Sequence, residues 1–132
     1  MLIVLRPDDA RPIYQQIAGQ IKEQIMTGLL LPGDVLPSVR ELAAFLAVNM
    51  HTVHRAYQEL AEQKVVHMRL GRKVKVAPTD TSGGGREEAR LRIEEEIRRL
   101  IVDGYHMGFT RHELTALFVE QCGIITSKKE DF

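Results

Sequence analysis

The chain has 132 residues, 44% hydrophobic and 27% charged, the balance of a folded globular protein with length for one ordinary domain or a small domain plus an appendage. No apolar run approaches the roughly 18 residues of a membrane span, and the opening MLIVLRPDDARP lacks the basic region and cleavage site of a signal peptide. One cysteine, Cys122, excludes an internal disulfide and suits a cytoplasmic location, and a formal net charge of zero offers no global basic field.

In chain order, Pro12 to Gly28 is the first predicted helix, with Ile13, Ile17, Ile21 and Ile25 recurring as a core stripe and Gly28 ending it in a left-handed conformation. It should pack beneath the two helices that follow, which alone bury too little surface to fold. Leu29 to Val35 carries the Pro32-Gly33 turn signal. Ser38-Val39-Arg40-Glu41 has the form of a capping box, and Pro37 before it makes the helix start sharp. Val39, Leu42, Ala43 and Leu46 then share a face. Asn49 caps a next helix whose stripe is Val53, Ala56, Tyr57 and Leu60. Two short helices about three residues apart make a helix-turn-helix.

From Val65 to Val76 the period changes to two. Val66, Met68, Leu70, Val74 and Val76 alternate with His67, Arg69, Lys73 and Lys75 around Gly71-Arg72, the pattern of a hairpin with one basic face. Directly after a helix-turn-helix, such a hairpin is a wing. PTDTSGGG, residues 78–85, is a linker by composition. Arg86 to Asp103 is a charged amphipathic helix with Ile93, Ile97, Leu100 and Ile101 on its stripe and Glu94–Arg98 and Glu95–Arg99 as favourable pairs. Gly104 and Gly108 bracket a short turn. Thr110-Arg111-His112-Glu113 is a second capping box, and Leu114, Leu117 and Phe118 continue an apolar face to about Cys122-Gly123, before a frayed polar end. Residues 1–78 are thus expected to form a winged helix-turn-helix domain, 79–85 a linker and 86–132 a two-helix tail. The fold is mainly α with a small β-hairpin.

Opposite the apolar stripe of the second helix of the pair lie His51, His54, Arg55 and Gln58, with Asn49, Met50 and Thr52 at its start. Those include side chains that hold phosphates or read base edges from a major groove. Charge is distributed accordingly. Residues 1–78 carry ten Lys and Arg against seven Asp and Glu, residues 79–132 eight against eleven, and Asn49 to Val76 six against two. The basic surface is local, where a nucleic-acid footprint is expected. Arg69, Arg72, Lys73 and Lys75 of the hairpin suit phosphate or minor-groove contact.

The stretches LPSVRELA and VNMHTVHRAYQEL resemble the DNA-binding domain of GntR-type bacterial transcription regulators, above all the short YtrA-like branch. There the recognition helix carries a similar VN-x-x-TV-x-RAY-x-EL pattern. The resemblance spans roughly Pro12 to Pro78 and is carried by Pro32-Gly33-Asp34, Leu36-Pro37-Ser38 with Arg40, and Thr52-Val53 before Arg55-Ala56-Tyr57. The chain departs from the family pattern at Ala47 and at Lys64, where glycine is usual, and in having one wing glycine, Gly71, where two are common. By resemblance, Arg40 and Arg55 hold phosphate or base edges, and Ser38 is counted with them among the DNA-binding residues. Asn49, Met50, His51, Thr52 and His54 set sequence preference, and Arg69, Gly71, Arg72 and Lys73 form the wing contact.

Two helices in about fifty residues are too few for an independent core, so the tail stripes need a partner. The expected partner is the same tail of a second chain, through Ile93, Ile97, Leu100, Ile101, Leu114, Leu117 and Phe118. No nucleophile-and-base set, phosphate-cradling glycine loop or metal-ligand spacing is present, so neither an enzyme nor a metal or cofactor protein is expected. The resemblance implies a cytoplasmic homodimeric repressor of an inverted-repeat operator in double-stranded DNA, and leaves room for release by a small-molecule effector. An architectural DNA-binding protein without operator preference, or a protein-binding winged helix, is the alternative.

Overall fold

A computed structural model describes residues 1–69, 71–78 and 85–130, with the side chains of 126–130 left aside. The elements are α1 (Ile13–Met26), α2 (Val39–Leu46), α3 (Met50–Glu62), β1 (Val66–His67), β2 (Lys75–Val76), α4 (Arg86–His106) and α5 (Arg111–Glu130). The chain divides into two compact units, Met1–Thr79 and Asp80–Asp131. The composition-based linker lies, apart from Pro78 and Gly85, outside the described residues, as does Leu70 of the hairpin.

The core of the first unit joins Ile17 and Ile21 of α1, Leu42 and Ala43 of α2, Val53, Ala56, Tyr57 and Leu60 of α3, and Val66, Val74 and Val76 of the hairpin. The α3 stripe is enclosed as its spacing predicts. The isoleucine stripe of α1 is not: Ile17 and Ile21 are fully buried, Ile25 is half-buried and Ile13 is exposed. A four-residue repeat drifts roughly 40° per step around a helix of 3.6 residues per turn, so its ends rotate out of the contact. The buried run is instead Gln16, Ile17, Ala18 and Ile21.

Gln16 belongs to a feature that hydrophobic periodicity does not reveal. Residues 2–6 lie along α1 and are held by glutamines four residues apart. Gln16 accepts from the Arg6 amide at 2.9 Å and donates to the Arg6 carbonyl at 3.2 Å. Gln20 does the same for Val4, at 2.9 and 2.7 Å, and Gln24 donates to the Leu2 carbonyl. The match is geometric: two residues of extended chain and four of helix both advance by roughly 6 Å. This strap lowers Ile3 into the core.

Ser38 caps α2 by accepting from the Glu41 amide at 3.0 Å, and Asn49 caps α3 by accepting from the His51 amide at 2.8 Å. The reciprocal half of the first capping box is absent among the hydrogen bonds of the described residues, and Glu41 is exposed. Both helices end in left-handed residues, Ala47 at φ 55° and Lys64 at φ 61°. In each case the next amide reaches back five residues, Val48 to Ala43 at 3.0 Å and Val65 to Leu60 at 2.8 Å, the closure that ends a helix through a left-handed residue.

The hairpin pairs Val66 with Val76 and His67 with Lys75 in antiparallel register. Its second strand has another neighbour that a turn signal alone does not predict. The Leu36 amide donates to Val74 and the Val76 amide to Asp34, at 2.8 and 2.9 Å, and Val35 bridges Lys75. The Pro32-Gly33-Asp34 turn thereby fastens the wing to the start of α2.

In the second unit α4 runs three residues past the expected Asp103, and Gly104 is helical rather than part of a turn. It is buried, and a Cβ placed there would stand 2.7 Å from Leu114 Cδ2, so glycine lets α5 approach α4. The turn falls at Gly108, with φ 93°. The Thr110–Glu113 capping box is complete in both directions, each bond at 3.2 Å. Helix α5 continues through Gly123 to Glu130, beyond the expected fraying point. The expected Glu94–Arg98 and Glu95–Arg99 pairs give way to Arg90–Glu94 at 3.1 Å and Arg99–Glu96 at 3.8 Å among the described residues. Exposed pairs on one helix differ by only a few tenths of a kcal/mol, so spacing does not choose between them.

Candidate nucleic-acid interface

Three local structures of the first unit carry the candidate residues. The first is the start of α2. Tyr57 of α3 donates its hydroxyl to the Pro37 carbonyl at 2.7 Å, which pins the entry to α2 against α3 and sets where Ser38 and Arg40 emerge. Burial pushes the Tyr57 phenol above its ordinary pKa, with a further contribution from Glu41, so the hydroxyl stays a donor. Arg40 is exposed on the first turn of α2.

The second is the N-terminal half of α3. Met50, His51, His54 and Arg55 are exposed, whereas Thr52 is half-buried, less open than its place in the motif suggests. Asn49 has its carbonyl oxygen engaged as the cap, leaving its side-chain NH2 as donor to a phosphate oxygen or a purine acceptor. Arg55 leans on α1, its guanidinium carbon 4.0 Å from the centre of the Tyr14 ring.

The third is the hairpin. Arg69, Arg72 and Lys73 are exposed around Gly71, whose φ of 75° needs glycine. A groove runs between the helices and the hairpin, lined by Ser38, His54, Gln58, Arg69, Arg72 and Lys73. A smaller hollow on the hairpin itself is lined by His67, Arg69, Arg72, Lys73 and Lys75. The candidates therefore separate into a groove set (Ser38, His54, Arg69, Gly71, Arg72, Lys73) and a set that does not line it (Arg40, Asn49, Met50, His51, Thr52, Arg55).

Among the described residues, Arg40, Arg55, Arg69, Arg72, Lys73 and Lys75 form no ion pair with a carboxylate. The contrast is Arg11, which lines neither the groove nor the hairpin hollow and grips Asp9 at 2.8 Å. That hydrogen bond holds the Asp9 carboxyl down to a pKa of about 2. Unpaired cations on a surface of mixed charge are available to phosphate oxygens, which hold them better than water does. Among the described residues no three His, Cys, Asp or Glu side chains gather as metal ligands, and no helix is long and apolar enough to cross a membrane. Lys75, expected from the hairpin's basic face, lines the hairpin hollow, and two residues not singled out for DNA contact also enter: His67 through that hollow and Tyr14 through Arg55. Alternation had placed His67 on the basic face, but only a tertiary contact reveals Tyr14.

A short winged helix-turn-helix with unpaired cations on helix and hairpin defines a class of DNA-binding proteins. The family model for bacterial regulatory proteins of the gntR family matches residues 13–76, from the first residue of α1 to the last of β2. The HTH-type transcriptional repressor YtrA of Bacillus subtilis (strain 168) is 34% identical over 113 residues, 86% of each chain. The chain belongs to the GntR family and is a DNA-binding transcription regulator of YtrA-like type, not an enzyme. A structure called a transcriptional antiterminator, from Listeria monocytogenes EGD-e, matches with a TM-score of 0.76 and 31% identity over 95% of this chain and 92% of that one. The DNA-binding domain of AraR in complex with operator ORX1 matches with a TM-score of 0.51 and 25% identity, covering 58% of this chain and 96% of that one.

Proposed function

We propose that the chain is a homodimeric repressor that reads an inverted repeat in double-stranded DNA, one half-site per subunit. The observation that carries this reading is the row of unpaired cations flanking a capped, outward-facing helix start. Helix α3 enters the major groove by its N-terminal half, with Asn49, Met50, His51 and His54 at base edges and Thr52 at their margin. Arg40 and Arg55 hold the backbone. The groove beside the hairpin takes a phosphate strand between Ser38 and Arg69, Arg72 and Lys73. YtrA of Bacillus subtilis carries the name repressor, and the same direction of regulation is assigned here.

The tail supports the dimer. Ile93, Leu100 and Phe118 are each more than half exposed, with Ile97, Ile101 and Leu117 exposed beside them and Leu114 half-buried. Apolar side chains at this density on two helices call for a covering surface, and a second copy supplies one that is self-complementary under two-fold symmetry. Two linked recognition helices then address half-sites about one helical turn apart. The tail is also where a small-molecule effector would act to release DNA in the cytoplasm.

Binding of full-length protein to unrelated duplexes across a range of salt tests the DNA half of this reading. Affinity is expected to fall steeply with salt, by roughly 0.9 of a logarithmic unit per phosphate neutralised for each tenfold rise, and to differ between sequences. A flat salt response contradicts the phosphate contacts, and equal affinity for every duplex would favour an architectural protein.

A further inference from the structure

We propose that Tyr14 is a positioning residue for the DNA contact of Arg55, an inference that rests on the assignment of Arg55 to the DNA made above. The Arg55 guanidinium lies 4.0 Å over the Tyr14 ring, well within the range of attraction between a cation and the negative face of an aromatic ring. Tyr14 stands in the first turn of α1 and is packed at the edge of the core. Its hydroxyl accepts from the Gln15 side-chain amide at 3.1 Å. The ring is thus seated on the core, while Arg55 is exposed.

How the charge is held decides what it can still do. A carboxylate would fix Arg55 by occupying two of its N–H donors and cancelling its field. The ring face carries no formal charge to cancel the field and no carboxylate oxygen to occupy the N–H donors. The Arg55 side chain makes no hydrogen bond or ion pair among the described residues, so its donors and charge remain available. A long side chain that is ordered only on binding loses affinity to that ordering; one already stacked has less freedom to lose. Tyr14 therefore raises affinity through Arg55 without contacting DNA itself.

The test is fluorescence anisotropy of full-length protein with a mixed-sequence duplex, read across a salt series. Tyr14→Leu is expected to weaken binding about two- to fivefold, with an unchanged salt slope because no charge is removed. Tyr14→Phe keeps the ring and should bind as wild type. Arg55→Ala should weaken binding more and lower the salt slope by about one, and adding Tyr14→Leu to it should change nothing further. In the free protein, the Arg55 Cδ protons should show a ring-current displacement by NMR in wild type and Tyr14→Phe. That signal reports the contact itself, and its absence in wild type overturns the proposal even if Tyr14→Leu fails to fold; a merely structural role for Tyr14 is told apart by the double variant. Equal weakening by Tyr14→Leu in the wild-type and Arg55→Ala backgrounds also overturns it. An Arg55→Ala variant that binds as wild type removes the DNA contact itself, whereas a weakened Arg55→Ala beside an unaffected Tyr14→Leu overturns the stack alone.

Discussion

Replacing Ala47 or Lys64 by glycine is expected to stabilise the DNA-binding unit, against the usual direction of such a change. Both residues sit at helix ends in the left-handed region, at φ 55° and 61°, where Cβ crowds the carbonyl oxygen at a cost of roughly 1–2 kcal/mol. Glycine removes that cost but brings back about 0.5–1 kcal/mol of chain entropy lost on folding. The net gain is about 0.5–1 kcal/mol at each site. Both side chains are exposed, and the two sites share no hydrogen bond, so the gains should add. The chain has three tyrosines and no tryptophan. In a Tyr105→Phe background, tyrosine fluorescence therefore reports only Tyr14 and Tyr57 of the first unit. Urea unfolding followed in this way should show a midpoint higher by about 0.5 M per substitution, with unchanged slope, for a unit of this size. The matching loss is expected at Gly108 of the second unit, which ends α4 with φ also positive and should cost about 1 kcal/mol as Gly108→Ala, read by far-UV circular dichroism. A midpoint that stays level or falls in both glycine variants would refute the strain argument.

Other residues carry predictions of their own. Tyr57→Phe should cost about 1–2 kcal/mol by leaving the Pro37 carbonyl without its donor, measured by urea unfolding. The folded pKa of Tyr57 is raised, so wild-type stability is fully present below the unfolded value near 10 and declines as pH rises above it; the Phe variant should lack that component. Gln16→Ala removes two hydrogen bonds to Arg6 of the N-terminal strap and one to the Arg11 carbonyl and should cost about 1–2 kcal/mol, with faster amide exchange at Arg6. Arg40→Ala and Arg55→Ala should each lose at least about 1 kcal/mol of specific DNA binding without loss of folding, checked by anisotropy and circular dichroism. Ile97→Asp places a charge on the exposed tail stripe and should shift sedimentation from dimer to monomer, whereas an unshifted dimer would move the interface elsewhere.

The helix-turn-helix was legible because each of its devices is local. Ser38 and Asn49 declare helix starts, and Val53, Ala56, Tyr57 and Leu60 recur at a helical period that tertiary contact then enforces. Alternation from Val66 to Val76 foretold which hairpin residues face inward. What escaped depends on partners distant in the chain. Gln16, Gln20 and Gln24 do repeat every fourth residue, but a polar repeat reads as a solvated face until an extended segment is laid against it. Gly104 reads as a turn former until Leu114 arrives beside it. Pro32-Gly33-Asp34 announces a turn and says nothing of its pairing with Val74 and Val76. At the candidate interface, residue types and their order were visible in advance. The Tyr14 stack beneath Arg55 joins positions 41 residues apart, beyond the reach of any periodicity.

Selection of binding sites by the full-length protein from a random duplex pool tests the central claim most directly. Enrichment of an inverted repeat, with half-sites about one helical turn apart, is the expected result. Recovery of a pool without any shared sequence would contradict operator reading by a symmetric dimer.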